Sequence, residues 1–155
     1  METKDMLRQL LAYNGWANHL VIEALKKETP HDPKALRAFA HLLFAEKIWL
    51  QRITESLDTT GYDFAPELNL NDCEKLSDEN AKAYASFFDA LDEDVLDRTA
   101  TYKNSKGAEY QTSYRDVLTH VLYHSAYHRG QVAMAARAAG NVPAYTDYIA
   151  FVREA

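Results

Sequence analysis

Residues 113–139, which read SYRDVLTHVLYHSAYHRGQVAMAARAA, decide the fold of this chain. The stretch contains no proline and a single glycine, and most of its residues are compatible with a helix. Thr112 or Ser113 can cap the helix start, and Gly140 follows directly where a helix would end. The sequence therefore predicts one long helix that continues to about Ala139.

Earlier segments have the apolar spacing of helices as well. Residues 4–27 form one such segment, and residues 33–57 form a second that opens with Asp32-Pro33, a favoured helix start. The second segment is apolar around much of its circumference, which predicts a central position. Ser77 can cap a third helix that runs to about residue 96. The predicted inner stripe of the first helix comprises Met6, Leu10, Tyr13, Ala17, Val21 and Ala24.

The connecting segments have a different character. Residues 58–76 hold turn residues without periodicity, which predicts a long loop. Residues 98–112 alternate threonine and tyrosine around a turn at residues 104–107, which favours a short β-hairpin. A short helix is expected near residues 146–153. Because the long helices can bury their stripes only against one another, the sequence predicts an all-α four-helix bundle with a hairpin-like excursion before the last long helix.

Length and composition narrow the class of protein. The 155 residues are expected to form a single domain over 1–155. The formal net charge of -6 disfavours nucleic acid as a partner. The chain shows no long apolar run and starts without an apolar leader, so we expect no membrane contact and a cytoplasmic location. The single cysteine, Cys73, excludes an intramolecular disulfide, and any metal site must use nitrogen and oxygen ligands.

The last long helix carries an unusual histidine series. His120, His124 and His128 recur at every fourth position, so neighbouring members lie on one face, about 6 Å apart along the axis. His120 and His128 are about 12 Å apart along the axis, too far to share one ion. The helix projection places His124 and His128 near the middle of the apolar stripe and His120 toward its edge. Two neutral imidazoles on a buried face are well explained by a shared cation.

A third ligand is expected from a neighbouring helix, as in other metal sites of helix bundles. His41 is the natural candidate, because it lies on an inward side of the second helix. His19 lies off the apolar stripe of the first helix and His31 lies in a proline-flanked turn, so both are expected to be solvated.

Four segments of this chain, in matching order, resemble the DinB/YfiT-like metal-binding four-helix bundles. The most specific is HSAYHRGQ at residues 124–131, which is similar to the HxxxHRGQ signature of that family. YNGWAN at 13–18 resembles its first-helix motif, HLLFAEKIW at 41–49 resembles its second-helix histidine segment, and PAYTDY at 143–148 resembles its ending. The resemblance spans nearly the whole chain.

The resemblance implies a three-histidine site on His41, His124 and His128 that usually holds a divalent metal, zinc or nickel above all. Some members of this fold are thiol-dependent enzymes in which the metal activates a low-molecular-weight thiol such as bacillithiol or mycothiol. The family name refers to induction by DNA damage, which concerns expression and implies no DNA contact. A small-molecule substrate and a homodimer are further expectations from the resemblance.

Two further residues are weak catalytic candidates. Glu46 could assist as a base, although a glutamate on a helix is more often solvated or paired with a lysine. Arg129 could recruit an anionic thiol if it faces the pocket mouth, or it could only pair with an acid.

Gly130 inside a helix predicts close approach of another helix, and Trp16 and Trp49 are expected in core or dimer contacts. Cys73 is expected to be an incidental residue in the loop before the third helix.

The sequence leaves three functions open. The first is a metal-dependent enzyme, a thiol S-transferase or a hydrolase, that acts on a small electrophile. The second is a non-catalytic divalent-metal-binding protein of a stress response. The third is a purely structural bundle with a polar histidine core and no metal.

Overall fold

The computed structural model describes residues 1–28 and 32–154. Four long helices form the bundle: α1 (Thr3–Lys26), α2 (Pro33–Glu55), α3 (Leu70–Asp89) and α4 (Tyr114–Ala138). A 3₁₀ turn (Glu93–Asp97) and two antiparallel strands, β1 (Thr99–Lys103) and β2 (Glu109–Ser113), connect α3 to α4, and α5 (Tyr148–Glu154) ends the chain. The predicted all-α bundle with a hairpin before its last long helix is confirmed.

The helix starts follow from local capping chemistry. The Asp32 carboxylate accepts a hydrogen bond from the Lys34 amide, and Pro33 occupies the first turn of α2 as predicted. Ser113 caps α4 by accepting from the Asp116 amide. Thr112 lies inside β2 instead, so of the two predicted caps Ser113 is the one used.

Helix α3 starts earlier than predicted. Its cap is Asn69, which forms a reciprocal capping box with Asp72, and Ser77 lies buried inside the helix. The first turns of α3 are mostly polar and hold few apolar residues, so apolar periodicity did not reveal them, whereas the Asn69 and Asp72 spacing was the available signal. Cys73 therefore lies in a helix and not in a loop, and its side chain is fully buried.

The buried face of α1 also differs from the predicted stripe. Met6 is exposed, and Tyr13 packs against α5 through Tyr148 and Phe151. The inward positions include two asparagines, which an apolar pattern cannot detect. The buried residues of α1 are Leu7, Leu11, Asn14, Ala17, Asn18, Val21, Ile22 and Leu25.

Helix α2 is the central element, as predicted, and packs most extensively against α4. Apolar packing is divided into two clusters, one at each end of the bundle. The first cluster includes Leu7, Leu11, Leu50, Ile53, Phe88, Val117 and Val121. The second cluster includes Val21, Ile22, Leu25, Phe39, Leu43, Cys73 and Val132. In the part of the chain that the structure describes, none of the helices has the length and apolar composition needed to cross a bilayer.

Candidate metal centre

The three histidines that were predicted as metal ligands lie close together in the structure. His41 comes from α2, and His124 and His128 come from successive turns of α4. One ring nitrogen of each lies within 4.8 Å of the others. The ring centroids are 5.1 Å apart for His41 and His124, and 4.4 Å apart for each of the other two pairs. Imidazoles so close to one another form a compact nitrogen cluster.

Hydrogen bonds hold two of these rings in one tautomer. The Nδ1–H group of His41 donates to the backbone carbonyl of Phe64, and the Nδ1–H group of His128 donates to Oε1 of Gln131 at 2.7 Å. Because carbonyl oxygens only accept, the proton resides on Nδ1 and the lone pair on Nε2 is left for another partner. Gln131 belongs to the quoted α4 motif, but a backbone carbonyl such as that of Phe64 leaves no signal in a sequence.

Burial favours the neutral form of the two cluster histidines on α4. Burial, together with repulsion from the neighbouring rings of His128, His41 and His120, lowers the pKa of His124 to about 4. Burial also lowers the pKa of His128, against which the hydrogen bond with Gln131 acts. Neutral imidazoles are the form that binds divalent transition metals, so the donor set fits such an ion.

The low pKa of His124 predicts how the stability of the metal-free protein depends on pH. In an unfolded chain this histidine takes up a proton near pH 6.5, whereas the folded protein resists protonation until about pH 4. The folded state is therefore destabilised as the pH falls from 6.5 toward 4. Because the ring is only half-buried, we expect this residue to account for about 1 kcal/mol at pH 5.

Urea unfolding with a chelator present, at pH 7.5 and pH 5, measures this effect. The wild-type protein should lose about 1 kcal/mol more than His124→Gln over that interval. Parallel losses in the two proteins would contradict the expected pKa shift.

His120 lies outside the cluster, as its spacing predicted. Its exposed side chain packs against Trp49, with ring centroids 4.8 Å apart, and lies 5.3 Å from His124. Burial of part of the ring and the nearby charge of Arg52 lower the pKa of His120. His19 is exposed, as expected, and His31 lies outside the described residues.

The helix projection was wrong in one respect. The middle of the buried face of α4 is occupied by Ser125 and Arg129, and the two histidines of the cluster lie at its edge. Both central residues are polar, so the apolar pattern placed the centre of the face one position too early.

Glu46 is buried, and no lysine of the described residues pairs with it, so the prediction that it is solvated or paired with a lysine is wrong. Its side chain is only 3% exposed. Oε1 accepts hydrogen bonds from Asn14 and Asn18 of α1 and from the hydroxyl of Ser125, at 2.8, 2.9 and 2.8 Å respectively. Asn18 and Asn80 of α3 donate to Oε2 at 3.2 and 3.3 Å. Neutral donors from three other helices therefore surround this carboxylate.

Arg129 is buried on the side of α4 that faces α1. Its Nη1 donates to the amide oxygens of Asn14 and Asn18 at 2.6 and 3.0 Å. Among the described residues no carboxylate forms an ion pair with it. Arg129 is only 4% exposed and lies within the bundle, so it does not face a pocket mouth, which was the condition for a role in recruiting an anionic thiol.

Other predicted roles have mixed outcomes. A Cβ atom at Gly130 would meet no atom of the described residues within 4 Å, so no helix approaches there and that prediction is wrong. Trp16 packs on Tyr13 and Phe151, and Trp49 packs on the Arg52 guanidinium at 4.2 Å. These tryptophan contacts are intramolecular packing, as expected for the core.

Cys73 cannot serve as a reactive thiol in the folded protein. Burial, together with the charge of Asp72, raises the pKa of its thiol to about 11. A thiol of this kind is protonated at neutral pH and is not a nucleophile.

Comparisons of the sequence with known proteins show the family of this chain. The sequence profile of the DinB family matches residues 1–155. The protein DinB of Bacillus subtilis (strain 168) is 24% identical over 160 residues, an alignment that covers 93% of this chain and 92% of the relative. The chain belongs to the DinB family.

Proposed function

We propose that this DinB-family protein binds one divalent transition metal ion, zinc or nickel, through Nε2 of His41 and His128 and one ring nitrogen of His124. The convergence of three imidazoles from two helices, with two tautomers fixed by carbonyl acceptors, is the observation that carries this proposal. Three protein ligands leave a coordination position for a water molecule or a substrate atom. This is the arrangement of catalytic metal sites, whereas structural zinc sites are closed by four protein ligands.

We propose further that the protein is an enzyme of the thiol S-transferase type acting on a small electrophile. A bound metal of this kind would lower the pKa of a coordinated thiol or water molecule. The histidines hold the ion in a neutral ligand set, so the full positive charge of the ion remains available. The thiol has to arrive as a low-molecular-weight cofactor, because Cys73 is buried.

The second candidate function is non-catalytic metal binding in a stress response. The burial of Glu46 and Arg129 favours it, because neither residue is accessible to a substrate as an acid or base. The two candidates differ only in whether a reaction follows metal binding, so one experiment separates them.

Metal content is the first test. Protein purified without a histidine tag should contain about one zinc or nickel ion per chain by mass spectrometry of the metals, or should take up that amount after demetallation. A chain that neither contains nor takes up metal would contradict both candidates and support a purely structural histidine core.

Activity is the second test. The metal-loaded protein should accelerate addition or transfer of a low-molecular-weight thiol to members of a panel of small electrophiles, and chelation should abolish the rate. His128→Ala is expected to stay helical by circular dichroism and to lose this rate. Absence of acceleration in both thiol and hydrolase panels would favour the non-catalytic function.

We propose that the protein forms a homodimer that buries parts of two long helices. Exposed apolar side chains on α4 support this, since Tyr123, Tyr127 and Met134 are 75%, 67% and 70% exposed. Light scattering at micromolar concentration should give twice the chain mass, and a monomeric mass would contradict the proposal.

A further inference from the structure

The hydrogen-bonded side chains around Glu46 form a polar layer across the middle of the bundle. The members of the layer are Asn14, Asn18, Glu46, Asn80, Ser125 and Arg129. In every long helix these residues fall between the positions that belong to the two apolar clusters. On α4, for example, Ser125 and Arg129 follow Val121 and precede Val132. The layer therefore separates the two halves of the core.

The histidine cluster lies at the same level of the bundle as this layer. Each histidine that α4 contributes is followed directly by a member of the layer, since Ser125 follows His124 and Arg129 follows His128. Successive residues of a helix point about 100° apart, so anchoring one residue fixes the direction of the next. Glu46 belongs to α2, the helix that carries His41, and accepts from Ser125 at 2.8 Å.

We infer that this polar layer is the device that positions the histidine cluster, with Ser125, Glu46 and Arg129 as positioning residues. Apolar side chains tolerate rotation and sliding of helices, because their contacts have no preferred direction. Hydrogen bonds between buried partners are directional, and a shift of α4 against α1 or α2 would leave donors unpaired. The layer therefore selects one rotation and one register of α4. This inference rests on the proposed metal site, for which the layer sets the ligand geometry.

Ser125→Ala is the sharpest test, because it removes one hydroxyl from the layer and no ligand. We expect it to weaken cobalt(II) binding by about 10-fold, in the range that outer residues of metal sites usually show. The visible absorption bands of bound cobalt(II), which report its coordination geometry, should also shift. Ser77→Ala is the matched control, because Ser77 is a buried serine on α3 that makes none of the hydrogen bonds of the layer.

Both variants are to be measured by cobalt(II) titration against a competing chelator, at a temperature where circular dichroism shows each protein fully folded. A weaker affinity and a shifted spectrum in Ser125→Ala alone support the inference. Wild-type affinity and spectrum in Ser125→Ala would overturn it. Equal changes in Ser77→Ala would overturn it as well, since general destabilisation would then explain both.

A second measurement on the metal-free protein separates this inference from the proposed function. Nuclear magnetic resonance of the imidazole nitrogens reports the tautomers of His41 and His128 without any ion. We expect these resonances to shift in Ser125→Ala and to stay in place in Ser77→Ala. If the wild-type protein binds no cobalt(II), the proposed function fails, while the imidazole resonances still decide whether the layer positions the rings.

Discussion

Replacing His124 by alanine is expected to abolish stoichiometric metal binding, with a fall in affinity of more than about 100-fold. His124 supplies one of the three ring nitrogens of the cluster, and its ring centroid lies 5.1 Å from that of His41 and 4.4 Å from that of His128. Two remaining imidazoles hold a divalent ion poorly, because they leave most of its coordination to water. Competition titration with zinc or nickel and a coloured chelator measures the affinity.

The series on α4 offers a matched control for this loss. His120 is the same residue type on the same helix, and its exposed ring packs on Trp49 outside the cluster. His120→Ala should therefore keep metal affinity within a few-fold, whereas His41→Ala should lose it as His124→Ala does. Equal losses in His120→Ala and His41→Ala would show that the ion uses a different set of nitrogens. Circular dichroism of all three variants should show the wild-type helix content.

The sequence was sufficient for the helices and the histidines because both leave periodic signals. Apolar spacing, the Asp32-Pro33 start and the every-fourth histidines all follow from the 3.6-residue repeat of the helix. His41 could be selected because metal sites of bundles take ligands from facing helices, and the resemblance to the DinB family pointed to the same residue. The structure places His41, His124 and His128 together.

What could not be predicted is the polar interior. Hydrophobic patterns assume that inward residues are apolar, so Asn14, Asn18 and Ser125 were not among the predicted inward positions. As a result, the predicted inner faces of α1 and α4 differ from the observed ones, and Glu46 was predicted to be solvated or paired with a lysine. A polar side chain is buried in a folded protein only where a hydrogen-bond partner is present. The partners here lie 28 to 115 residues apart in the chain, and a single sequence does not show which residues pair.

The start of α3 illustrates a different cause. Its first turns are mostly polar and carry only a short apolar period of Leu70, Cys73 and Leu76, although Asn69 and Asp72 form a recognisable capping box. The prediction used Ser77 as the cap in place of this pair. It therefore started the helix after Cys73 and placed Cys73 in a loop. The thiol is in fact part of the second apolar cluster.

Glu46→Ala is expected to lower the free energy of unfolding by about 3–5 kcal/mol, the usual range for removing one partner from a buried charged network. The substitution leaves the amide groups of Asn14 and Asn18 and the hydroxyl of Ser125 without their acceptor. For a chain of this length the melting temperature should fall by about 10–15 °C. Guanidinium unfolding in the presence of a chelator measures the change without a contribution from bound metal.

Glu55→Ala provides the control, because Glu55 is an exposed glutamate on the same helix and should change stability by no more than about 0.5 kcal/mol.

A double-mutant cycle with Arg129→Met then tests whether the carboxylate and the guanidinium act together through the asparagine amides that lie between them. If they do, the double variant should be more stable than the sum of the single losses predicts, by about 0.5–3 kcal/mol. Additive losses would mean that the two charged groups are independent, and a loss below about 1 kcal/mol for Glu46→Ala would show that the polar layer does not stabilise the bundle.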